Sequence, residues 1–92
     1  MPKRFRNCVG PQVRALRKEK GLTQDQLAAR LQLAGLHSFD RVTVAKIESQ
    51  IRSLFDFEVI VIAEVLGVPF EKLSPTTTEL NKSLDDLIAG EN

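Results

Sequence analysis

A chain of 92 residues makes one domain with a single modest core; its one cysteine excludes an internal disulfide, and with one histidine it argues against a protein-only zinc site. No apolar run reaches the ~20 residues of a membrane span and no secretory leader opens the chain, so a cytoplasmic protein without membrane, cofactor, metal or small-molecule ligand is expected. The net charge of +1 hides an asymmetry: residues 1–52 hold eleven Lys/Arg against four acids (+7), and the rest two lysines against eight acids (−6), as in a protein with one end turned to a polyanion.

Residues 1–7, with Lys3, Arg4 and Arg6, have no apolar period and read as a mobile basic arm, taken through residue 8. Cys8 fits a small, partly buried apolar role. Val9, Val13 and Leu16 lie at i, i+4 and i+7, the stripe of a helix that ends near Lys20, with Pro11 in its first turn. The stretch GLTQDQLAARLQ then stops one helix and starts another. Gly21 suits the position just past a helix end. Thr23 is an N-cap with Gln26 three residues on, the reciprocal capping box, and Leu22 and Leu27 form a staple across it. The second helix, residues 24–33, buries Leu27, Ala28 and Leu31. Residues 33–39, with Gly35, His37 and Ser38, form a loop. Asp40 caps a third helix, with Phe39 and Val44 as a second staple. That helix places Val44, Ile47 and Ile51 on one face and leaves Arg41, Val42, Ala45, Lys46 and Ser49 on the remaining surface.

The run FEVIVIAEVLG is β-branched enough to favour a buried strand by propensity. Its length, Asp56 near its start and Gly67 with Pro69 at its end favour a helix over residues 55–66, and a lone strand would have no partner. Residues 70–73 add a turn closed by Pro75. Residues 76–78 open a last amphipathic helix carrying Leu80, Leu84, Leu87 and Ile88. Nowhere is there a phosphate-cradling glycine loop, a nucleophile elbow or a catalytic carboxylate pair, so no enzyme is expected.

The segments VRALRKEKGLTQDQLAARL, VTVAKIE, and VIAEVLGV with FEKL together resemble the phage-repressor-like (Cro/repressor, Xre-type) helix-turn-helix DNA-binding family over about residues 13–73. The resemblance implies an all-α fold: a five-helix lambda-repressor-like domain over residues 9–75, plus a short C-terminal helix, residues 76–92, suited to dimerisation. It makes the third helix the recognition helix, with Arg41, Val42 and Lys46 at base edges, where Arg or Lys reads guanine and Val meets a thymine methyl. Gln24, Asp40, Thr43 and Arg52 are expected at phosphates, and Arg17 and Glu48 match a structural pair bridging the first helix to the third.

One departure stands out. The turn of residues 33–39 exceeds the usual three or four residues, by a spacing excess of about six between Leu31 and Asp40. Leu33, Leu36 and Phe39 could extend the second helix and pack back on the core, and the tilt could hand base contact to His37 or Ser38. The function implied is a sequence-specific DNA-binding transcriptional regulator, a repressor, working as a homodimer on double-stranded DNA. The alternative is a protein-interaction module such as the antitoxin of a toxin–antitoxin pair.

Overall fold

Each helix begins where the local chemistry can satisfy its free amides. In the computed structural model, which describes residues 3–91, five α-helices and one 3-10 turn follow one another: α1 Gly10–Glu19, α2 Gln24–Leu33, α3 Arg41–Glu48, α4 Asp56–Leu66, a 3-10 turn Phe70–Lys72, and α5 Thr77–Gly90. Thr23 Oγ1 accepts from Gln26 N–H at 3.1 Å and Gln26 Oε1 accepts from Thr23 N–H at 2.9 Å, so the capping box is complete. Thr76 and Glu79 repeat the device at α5. Between α1 and α2 the chain turns at Gly21 with φ of +71°, a backbone that a side chain would strain.

The run at residues 56–66 is a helix, because it buries Val59, Ile62, Ala63 and Leu66 at i, i+3, i+4 and i+7. These join Val13, Leu27, Leu31, Phe39, Val44, Ile47 and Leu73 in one core, each large side chain contributing about 1.5–3 kcal/mol on burial. α2 packs on α3, α1 on α3 and α4, and α2 on α4, with the 3-10 turn against α4. The 3-10 turn completes the four-helix body, so the C-terminal helix is the fifth α-helix and, at 14 residues, the longest.

Three sequence expectations are corrected. The long turn does not extend α2, which ends at Leu33 with that side chain 89% exposed, whereas Phe39 is 2% exposed and seals the core. Ile51 does not share the buried face of α3: the helix stops at Glu48, Gln50 adopts φ of +66°, and the reversal turns Ile51 outward.

The third correction concerns the basic arm. Its described part, residues 3–8, is a strap. Lys3 N–H donates to Asp86 Oδ1 at 2.7 Å and Phe5 N–H to Asp86 O at 3.0 Å, while Arg6 N–H donates to Gln50 O at 2.7 Å. α5 stands outside the principal helix packings, and this strap joins it to the turn after α3.

Candidate nucleic-acid interface

α3 is built to show one face. Asp40 caps it, its carboxylate accepting from Thr43 N–H at 2.8 Å and Thr43 Oγ1–H at 2.9 Å. Those bonds, the backbone one first, hold the Asp40 carboxyl below the usual carboxylate range. Val44, Ile47 and Glu48 are buried beneath. Arg41, Ala45 and Ser49 form one outward row at four-residue spacing, and Val42 and Lys46 form the next. Of these, Arg41, Val42 and Lys46 are exposed, Val42 by 48%.

A buried joint fixes the pitch of this face. Arg17 Nε donates to Glu48 Oε2 at 2.6 Å, Nη2 to Glu48 Oε1 at 3.0 Å, and Nη1 to Leu22 O at 2.8 Å. The side chains are 10% and 3% exposed. The bidentate bond to Glu48 raises the Arg17 pKa above its ordinary value; burial opposes this and the Glu48 charge adds to it. Gln24 Nε2 donates to the same Glu48 at 3.1 Å. One pair therefore ties α1, the start of α2 and the end of α3. A polar hollow of ≈ 270 Å³ opens over it, lined by Arg14, Arg17, Gln24, Glu48 and Ser49.

The four residues expected at phosphates are placed differently from one another. Gln24 opens α2, where first-turn amides lack intrahelical partners, and its side chain keeps one amide hydrogen beyond the bond to Glu48. Asp40 and Thr43 hold each other, so the carboxylate and the hydroxyl hydrogen are committed to the cap. Only their neighbouring backbone amides have donors to offer. Arg52 lies with its guanidinium 4.7 Å over the Phe39 ring and donates to Ser53 O at 2.9 Å and to both Glu58 oxygens at 3.3 Å. Two of its five donors point elsewhere.

Sequence reasoning missed Asn7, Gln50 and Glu58. Asn7 is 8% exposed and satisfied on both ends. Its Nδ2 donates to Ile47 O at 3.1 Å and Arg52 O at 2.9 Å, and its Oδ1 accepts from Val9 N–H at 3.2 Å and Gly10 N–H at 2.8 Å. With its side chain accepting from the amides two and three residues on, Asn7 forms an Asx turn ahead of α1, a local habit of Asn that the sequence could have shown. Glu58 accepts from Phe55 N–H at 2.9 Å, half of a capping box whose Ser or Thr is missing, and it carries Arg52. Gln50 Nε2 donates to Asn7 O at 3.0 Å, which holds the left-handed residue in place.

The helix-turn-helix family model matches residues 13–73. No curated protein matches the chain in sequence. The solved structures similar to this chain include the following three. The DNA-binding domain of BldD has a TM-score of 0.63 at 23% identity, over 82% of this chain and 100% of that one. The restriction-modification controller protein C.AhdI from Aeromonas hydrophila has 0.60 at 31% identity, over 71% and 86%. The hypothetical transcription factor NHTF from Neisseria has 0.65 at 24% identity, over 85% and 83%. The likenesses at 23% and 24% speak for the fold alone. With the family match running from within α1 to the end of the 3-10 turn, the chain belongs to the Xre-type helix-turn-helix family of DNA-binding transcriptional regulators.

Proposed function

We propose that this protein is a cytoplasmic, sequence-specific repressor that binds double-stranded DNA as a homodimer and lays α3 in the major groove. The observation that carries the reading is the outward face of α3, where Arg41, Val42 and Lys46 stand exposed on a helix whose opposite side is locked by the Arg17–Glu48 pair. Arg41 and Lys46 suit guanine O6 and N7, and Val42 suits a thymine methyl. Gln24 and Arg52 flank the helix and take phosphates through their uncommitted donors; at the Asp40–Thr43 cap phosphates are taken by the backbone amides of Arg41 and Val42 between them, at the start of α3, where the helix dipole favours an anion. One recognition helix reads too few base pairs for a specific site, which favours two copies on an inverted repeat about one helical turn apart.

The alternative, an interaction module such as an antitoxin, draws on the exposed apolar side chains Phe55, Phe57, Leu84 and Ile88. Selection of duplexes from a random pool, followed by titration across a salt series, separates the two. A regulator yields one enriched inverted repeat bound far more tightly than scrambled DNA, with affinity falling as salt rises. Absence of any enriched sequence would end the regulator reading.

A further inference from the structure

The long turn between α2 and α3 is a constructed element. Phe39 N–H donates to Leu36 O at 3.1 Å, closing a tight turn with His37 and Ser38 at its two central positions. Leu36 N–H donates to Leu31 O at 3.0 Å and Gly35 N–H to Gln32 O at 3.1 Å, fastening the turn to the end of α2. The Gln32 side chain spans its foot, Nε2 donating to Phe39 O at 2.7 Å. Phe39 plugs the core and lies under the Arg52 guanidinium, so the turn, α3 and the loop after α3 share one anchor. The next residue is Asp40, the cap of α3. His37 and Ser38 are both exposed, and their positions are set relative to the first turn of the recognition helix.

We propose that this turn is a second DNA-contacting element, in which His37 and Ser38 hold the sugar–phosphate backbone beside the groove that α3 enters. The inference rests on the reading of α3 as the recognition helix. A three- or four-residue turn would end close against the helices, whereas the added length carries these two residues outward. Both side chains offer hydrogen-bond donors and neither is negative. The carboxylate nearest in sequence, Asp40, is turned to Thr43. Arg41 and Val42 already occupy the groove-facing start of α3, which leaves the groove's edge, the phosphate line, to the two residues ahead of the cap.

The test uses the selected duplex and a scrambled one. A single neutral methylphosphonate replaces each phosphate in turn, and the proteins compared are wild type, Arg41→Ala and the double variant His37→Ala/Ser38→Ala. The double variant should melt like wild type and bind both duplexes about 10-fold more weakly, the loss of two neutral hydrogen bonds. It should also become insensitive to one particular phosphate whose neutralisation weakens wild type. An unchanged affinity and phosphate profile in the double variant, with wild type binding and Arg41→Ala losing preference, overturns the turn's role and leaves α3 standing. A loss confined to one base pair of the preferred site overturns the backbone assignment. Failure of wild type to prefer any duplex removes the α3 reading and this inference together.

Discussion

Glu48 accepts from Arg17 and from Gln24 while only 3% of its side chain is exposed, so those partners stand where water would solvate the carboxylate. Removing either member of the Arg17–Glu48 pair should cost about 3–5 kcal/mol, because the other stays buried and unpaired, and replacing both by apolar residues of similar size should cost less. Thermal melts of the two single variants and the double variant check this; negligible shifts in the singles would show a solvated contact instead. In the proposed complex the residues divide by what they would touch. Arg41→Ala should cost about 1–3 kcal/mol on the preferred site and relax preference at one position. Arg52→Ala should weaken all sequences alike and lower the salt slope by about one unit. Because Glu58 also loses its cation, Arg52→Ala should lower the melting temperature too, which Arg41→Ala should not. Equal loss on preferred and scrambled duplexes for Arg41→Ala would remove that residue from base reading.

At the level of elements, the caps were legible and the long-range ties were not. Thr23, Gln26 and Asp40 announce helix starts because capping is a contact between residues three apart. The same locality misplaced Ile51: an apolar period continues on paper past Glu48, and nothing in it shows that Gln50 turns left-handed under the hold of Arg6 and Asn7. The period of α3 left Arg41, Val42, Ala45, Lys46 and Ser49 on its open surface and the resemblance singled out three of them, whereas the stacking of Arg52 on Phe39 needed the fold. The contact of α1 with α3 makes a sharp prediction. A β-carbon at Gly10 would collide with Ile47 O, so the backbones meet there with no room for a side chain. Gly10→Ala should therefore destabilise the protein by about 1–3 kcal/mol, in the range of core overpacking. A melt indistinguishable from wild type would mean that the two helices are free to part.

Along the chain the basic half carries α1 to α3 and the acidic half carries α4 and α5, and the strap crosses that division by laying Lys3 and Phe5 against Asp86. Phe55 and Phe57 stack with ring centres 5.6 Å apart while more than half exposed, and Leu84 and Ile88 are exposed on α5. Sedimentation at high micromolar concentration should show a dimer, and Leu84→Glu with Ile88→Glu should shift it to monomer; a wild-type monomer with and without DNA would leave those faces without the proposed role. The strap also sets an order in time. The bond from Lys3 to Asp86 joins residues 83 apart, so it can form only after the last helix has been made. Synthesis at about 5–20 residues per second puts a few seconds between Gln50 and Asp86. Throughout that interval the residues of α3 and of the first mooring, Gln50, have been synthesised, while the second mooring, Asp86, has not. A chain cut short before Asp86 would keep every residue proposed to face DNA and never finish fastening them.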